Sequence, residues 1–269
     1  MKIVSVGECT IDSYPELNKR FVGGISLNFA VQCKRRGAAE VSLVSCIGND
    51  HQDEILKVLK SENVDASHVK ISSGSTACQN ILLTADGDRI FPAGGYSPGV
   101  LKQYQLSKSD LHFILKHNVV ASALFKQVEP LFYEVMNLSE FDGIRVADFL
   151  DLSDYNKDIG VVERLCDKLT IAFISGDQEM IERLHPLSRT NDCLIVVTLG
   201  AEGSIALVKG ELIYQSAVHV SNVVDSTGCG DAFQAAFTVS YCTEGNIQKA
   251  LECGAAHAAR VLQHYGAIS

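Results

Sequence analysis

With 269 residues, 46% of them hydrophobic and only 20% charged, the chain holds enough apolar material for a sizeable core, which excludes a disordered or low-complexity protein. A formal net charge of -9 counts against nucleic acid and anionic membrane surfaces as partners, so any phosphate site must be made locally. Nine cysteines, odd in number and without a C-x-x-C pair, argue against a disulfide framework and a clustered zinc site. No stretch is long and apolar enough to span a bilayer, and the apolar start that ends at Gly7 is too short for a signal-peptide core. A cytoplasmic protein with no membrane and no nucleic-acid partner is the expectation.

In chain order, Ile3 to Val6 reads as a strand and Glu8 to Phe21 as a polar, turn-rich segment. Leu27, Ala30, Val31 and Lys34 give helical spacing over Ser26 to Arg36, stopped by Gly37. Val41 to Ile47 is a second strand, and Asn49 or Asp50 is placed to cap a helix reaching about Glu62. Thr76 to Thr84 and Arg89 to Phe91 then read as a β-hairpin, an addition to an otherwise alternating chain. After a helix opened by Ser107-x-x-Asp110, strands are expected at Val119 to Leu124, Ile144 to Phe149, Leu169 to Ser175 and Cys193 to Leu199. Helices are expected at Glu129 to Leu138, Val161 to Asp167 and, briefly, after Asp177. An antiparallel pair, Ser204 to Val208 and Leu212 to Gln215, precedes an extended Ala217 to Val224 and helices at Gly230 to Cys242 and Asn246 to Gln263. The alternation predicts a single α/β domain over 1–269: a doubly wound, mostly parallel sheet with helices on both faces, its ligands at the carboxyl ends of the strands.

Chemistry concentrates in Asp225-Ser-Thr-Gly-Cys-Gly-Asp231, a tight turn running into a helix. Glycines there let backbone approach a ligand, and the unpaired N–H groups of a first helical turn favour an anion such as phosphate. Asp231, a carboxylate at the mouth of such a site, is suited to accept a proton from a hydroxyl attacking phosphorus. A helix-capping acid in a common glycine turn is the alternative reading. Upstream, Gly23-Gly24-Ile-Ser-Leu-Asn28 opens another helix and offers backbone N–H groups and one amide to a polyhydroxy ligand.

Both motifs, in this order on an α/β scaffold, resemble the ribokinase-like carbohydrate kinase family, also called the PfkB type. The resemblance covers nearly the whole chain and implies a ribokinase-like fold with a small β-strand lid, here roughly 9–22 and 76–95. It implies an ATP-dependent sugar kinase with ATP and Mg2+ and, in some members, a monovalent cation such as K+. By residue, it makes Asp231 the catalytic base and Gly228, Cys229 and Gly230 the anion hole. Asp12, Gly24 and Asn28 would hold the sugar, and Thr198, Gly200 and Gly203 the nucleotide phosphates, an ordinary hairpin entry being the other reading of Thr198. Asp225 and Thr227 would shape the cation site. Relatives often pair through the lid, so a homodimer is expected.

Two departures stand out. Where the family has Asn-x-x-Glu this chain has Gly176-Asp-Gln-Glu179, which keeps the Glu associated with magnesium and phosphate and lacks its Asn partner. Cys229 replaces a usual Ala; it fills a small space or, at a helix N-terminus, has a lowered thiol pKa and oxidises easily. The run Asp12-Ser-Tyr-Pro-Glu-Leu-Asn-Lys19 and the ending Gln263-His-Tyr-Gly-Ala267 resemble bacterial kinases that phosphorylate fructosamines such as fructoselysine on the 6-hydroxyl. Such a substrate is cationic, and Glu8 and Glu16 are candidates to favour it, a solvated surface role being the alternative. Arg89 either closes over phosphates or is a solvated charge beside its turn. His257 falls near the family's adenine pocket or packs within its helix. Rival readings are a kinase for fructose, ribose or adenosine, and a regulatory protein that binds ligand without turnover.

Overall fold

Apolar runs such as Ile3 to Val6 and Leu194 to Val197 are buried on both faces, which only a sheet covered by helices on each side can provide. In the computed structural model, which describes residues 1–268, the chain opens with β1 (Lys2–Val6) and the hairpin β2 (Thr10–Tyr14) and β3 (Lys19–Gly23). Next come α1 (Ile25–Arg35), β4 (Glu40–Gly48), α2 (Gln52–Ser61) and β5 (Asp65–Ser72). Four short strands, β6 (Ala77–Asn80), β7 (Leu82–Leu83), β8 (Arg89–Ile90) and β9 (Tyr96–Ser97), precede α3 (Lys108–Ile114). Alternation then resumes with β10 (Val119–Ala123), α4 (Glu129–Met136), β11 (Ile144–Asp148), α5 (Gly160–Glu163), β12 (Ile171–Ser175), α6 (Gln178–Thr190) and β13 (Leu194–Thr198). The chain closes with β14 (Ser204–Val208), β15 (Glu211–Gln215), α7 (Cys229–Glu244) and α8 (Ile247–Val261).

Nine strands form the main sheet in the order β15-β14-β13-β12-β11-β10-β1-β4-β5. All are parallel from β5 to β13, while β14 and β15 run antiparallel at one edge. The chain starts at β1, winds outward through β4 and β5, and returns to β10 on the other side of β1. That reversal between β1 and β10 is a topological switch point, where sheets of this kind open a crevice at their carboxyl ends. Helices α1, α2, α7 and α8 cover one face with Leu27, Ile55, Leu59, Phe237 and Leu251, and α3 to α6 cover the other with Ile114, Phe132, Val162 and Leu184.

A second sheet, β3-β2-β6-β9, and the two-stranded ribbon β7–β8 account for both segments expected to form a lid. The polar, turn-rich reading of Glu8 to Phe21 is therefore corrected: it holds the β2–β3 hairpin. Thr10, Asp12 and Tyr14 are buried polar residues, so the strand shows no apolar alternation. Ala217 to Val224, expected to be extended in a strand, is irregular; the Val224 N–H donates to Leu262 O at 2.8 Å, which ties the segment to the end of α8 instead of to the sheet. Asn49 and Asp50 do not cap α2: their side chains accept the Gly74 and Thr76 N–H groups at 3.1 and 2.9 Å, and His51 holds the cap position. The brief helix after Asp177 is α6, 13 residues long, with Asp177 accepting the Met180 N–H at its start. The Ser107–Asp110 capping box forms as expected, and Asn246 caps α8.

Candidate active site

At the carboxyl end of β1 the backbone turns at Gly7, and Glu8 and the β2 residue Asp12 lie close to Asp231 of α7, which Asn28 of α1 also meets. Gly24 starts α1 at φ +99°, and a Cβ there would press on Glu8 O, Cys9 Cα and Thr10 N, so only glycine lets α1 pack on this loop. One turn into α1, Asn28 is 3% exposed and its Nδ2 donates to Asp231 Oδ2 at 2.7 Å. Asn28 Oδ1 is buried and has no partner. On β2, Thr10 Oγ1 donates to Asp12 Oδ1 at 2.7 Å, and a side chain at Gly23 would meet the Asp12 carboxylate. The structure thus brings Asp12, Gly24, Asn28 and Asp231 together.

Glu8 joins them. It is 6% exposed and accepts the Ile25 N–H at 3.2 Å, which corrects its reading as a solvated surface acid, while Glu16 is exposed. Burial raises the Asp231 pKa to about 7, the Asn28 hydrogen bond opposing it and the nearby Asp148 and Glu8 charges adding to it. Asp12 is likewise raised to about 7, first by burial and then by Glu8, Asp231 and Asp225. Burial also pushes Glu8 upward. Three carboxylates crowded in this way leave a pocket that favours protons, hydroxyl donors or a cationic ligand.

Gly228 takes the left-handed conformation at the start of α7, with φ +77°, and a Cβ there would collide with Ala267. Gly230 has open space around it, which leaves the first turn of α7 accessible to an anion. Burial pushes the Cys229 thiol pKa up and outweighs the opposing Arg89 charge, so the expected lowering at the helix N-terminus is corrected. Asp225, fully buried, accepts from Tyr14 Oη at 2.6 Å, the Thr227 N–H at 2.8 Å and the Gly266 N–H at 2.8 Å.

Arg89 is not a solvated charge. Its Nη1 donates to Ser226 O at 2.9 Å and lies 3.9 Å from Cys229 Sγ, and its backbone N–H donates to Ser226 Oγ at 2.9 Å. Ser226 in turn donates its hydroxyl to Asp88 at 2.6 Å and its N–H to Gly87 O at 2.9 Å. The ribbon is therefore fastened to the glycine turn, a link between segments far apart in the chain that nothing in either segment announces. Asp148, buried at the end of β11, and Tyr14 were also missed; each reads in sequence as an ordinary strand residue.

Thr198, Gly200 and Gly203 lie apart from the acid pocket at the end of β13, where Leu199 N–H donates to Gly203 O at 2.8 Å and Gly200 and Gly203 take φ +59° and +112°. Glu179 is exposed on the first turn of α6. Gly176 has no room for the absent Asn: a Cβ there would sit 2.8 Å from Met180 Cβ. His257 packs between helices, its Nε2 2.9 Å from Gln32 Oε1, and burial lowers its pKa to about 4, so the packing reading holds for it. A cavity of about 390 Å³ borders Tyr14, Leu83, Asn222 and Tyr265 and is lined by none of the clustered acids. Its lining lacks convergent charge, whereas the acid pocket has it.

The pfkB family carbohydrate kinase model matches residues 2–130 and 164–269. The chain is 30% identical to a fructoselysine 6-kinase from Escherichia coli, over 98% of each chain. It is 29% identical to a fructosamine kinase from Bacillus subtilis, over 100% of this chain and 93% of that one. In backbone it is similar to a probable sugar kinase from Rhizobium etli, with TM-score 0.82, 17% identity and coverage of 99% and 94% of the two chains. It is also similar to an Arabidopsis thaliana ribokinase complexed with ribose and ATP, with TM-score 0.79, 21% identity and coverage of 99% and 94%. These two likenesses concern the fold.

Proposed function

The chain belongs to the pfkB family of carbohydrate kinases, and we propose that within it the chain transfers the γ-phosphate of MgATP to the 6-hydroxyl of a fructosamine such as fructoselysine. The observation that carries the reading is the Asn28–Asp231 pair, which puts a half-buried carboxylate at the first turn of a glycine-started helix. In the proposed step Asp231 takes the proton of the attacking hydroxyl as its oxygen forms the new bond to the γ-phosphorus. The bond from that phosphorus to the β,γ-bridging oxygen breaks, and ADP carries away the electron pair. The first-turn N–H groups at Gly228, Cys229 and Gly230 would meet charge on the transferred group. Asn28 fixes the base through Nδ2 and has Oδ1 free for a sugar hydroxyl, and Asp12 would accept from a second.

Thr198, Gly200 and Gly203 would carry the nucleotide phosphates. Magnesium would arrive with the nucleotide and neutralise phosphate charge; Glu179, exposed at the end of the sheet, suits a metal held mainly by phosphates and water. The amine of a fructosamine is favoured by the acid pocket of Glu8, Asp12 and Asp231, and the names of the two curated relatives support the same substrate class. Pairing of two copies through the lid is part of the proposal: Leu17, Ile90 and Phe91 are exposed there at 37%, 47% and 53%. Sedimentation is expected to find a dimer, and Phe91→Glu a monomer.

The deciding experiment is ADP release from MgATP with fructoselysine, other fructosamines, fructose, ribose and adenosine. Turnover confined to fructosamines is the expected result. Turnover with fructose, ribose or adenosine instead would remove the amine from the proposal, and silence with all would turn it toward a ligand-binding regulatory protein.

A further inference from the structure

The residues that would shape a monovalent-cation site do not fit one. A carboxylate oxygen offers two lone pairs, and both of those on Asp225 Oδ2 are taken, by Tyr14 Oη and the Gly266 N–H, while Oδ1 holds the Thr227 N–H. The Thr227 hydroxyl is buried and faces the same Tyr14 phenol. Neighbouring carbonyls are engaged as well: Leu262 O accepts the Val224 and Asp225 N–H groups, and Ser226 O accepts from Arg89 and the Cys229 N–H. Calcium takes roughly six to eight oxygens and K+ is larger, whereas among the described residues the side chains of Asp225 and Thr227 have one carboxylate lone pair and one hydroxyl left to offer.

A fixed cation is nevertheless present. The Arg89 guanidinium is held against Ser226 O at 2.9 Å and 3.9 Å from Cys229 Sγ, and its charge acts on Asp231. We propose that Arg89 supplies the positive charge beside the anion hole that a monovalent cation would otherwise provide, and that Tyr14 and Gly266 fill the coordination of Asp225, so that this kinase needs no monovalent cation. Arg89 and Tyr14 are then positioning residues for the glycine turn. The inference rests on the kinase reading only for its activity arm.

The test compares KCl, NaCl and choline chloride at constant ionic strength, reading both turnover with the best acceptor and the thermal unfolding midpoint. The expected result is turnover that varies less than twofold and a midpoint that does not respond to K+. Arg89→Met is expected to lower kcat about 100-fold with a smaller change in KM for the sugar, and Arg89→Lys to recover at least a tenth of the wild-type rate. Twofold or greater activation by K+ over choline, a K+-specific rise in the midpoint, or an Arg89→Met enzyme within threefold of wild type overturns the proposal. If wild type turns over nothing, the kinase reading fails, and the K+ response of the midpoint still decides whether a cation binds.

Discussion

Asp231 is asked to be a base, and its pKa of about 7, raised by burial, sets when it can be one. With free enzyme, kcat/KM is expected to climb with pH and level off above about 7, a limb that a pH-rate profile would show. Asp231→Asn is expected to lose about 10³-fold in kcat, within the usual range for a positioned base. Asp12 carries the same raised pKa, so the native state binds its proton more tightly than the unfolded chain does. Its contribution to stability is full below the ordinary carboxylate range and is lost as pH rises through about 7. Asp12→Asn should therefore melt several degrees above wild type at pH 8, with the gap closing toward pH 5, even as sugar binding is lost. Asp231, Asn28 and Gly228 were legible because their chemistry needs those residue types at fixed spacing to a helix start. Tyr14 was not, and Glu8 and Arg89 were legible only as candidates with a solvated alternative, since the atoms that decide for each belong to Asp225, Ile25 and Ser226.

At the scale of elements, the start of α7 depends on one left-handed residue pressed against the C-terminal segment. Gly228→Ala adds a left-handed strain of roughly 1–2 kcal/mol and pushes Ala267 away, so a fall in both melting temperature and kcat is expected, read by calorimetry and initial rates. Parallel strands and capped helices could be read directly, because continuous apolar runs and Ser107-x-x-Asp110 state their partners locally. The polar β2–β3 hairpin could not. Its strand β2 buries the polar Thr10, Asp12 and Tyr14 beside the core residue Ile11, so the alternation that announces a strand is broken. Edge strand β5 buries only Val69 and is silent for the opposite reason, having little buried face at all.

For the whole molecule, a doubly wound sheet with ligands at the carboxyl ends of its strands followed from the alternation of elements; the strand order that sets the reversal between β1 and β10, and the ties that close the molecule, did not. Gln32 on α1 is one such tie, donating to Ala267 O at 2.9 Å and meeting His257 of α8. Gln32→Leu strands both partners in a buried place, and a loss of about 1–3 kcal/mol for each unsatisfied group is expected in denaturant unfolding. Such a variant would also loosen Ala267 beneath Gly228, so its kcat should fall more than its KM rises.

On the proposed reading, the hydrogen bonds that join Gly87, Asp88 and Arg89 to Ser226 would give the enzyme a safeguard against waste. Any motion that lifts the ribbon to admit or release sugar also withdraws the guanidinium from Cys229 and Asp231. Bulk water would reach the nucleotide most freely in such a lifted state, when the turn that would stabilise its attack is incomplete. On the proposed reading, futile ATP cleavage would be held down by the same few contacts that assemble the site around its acceptor.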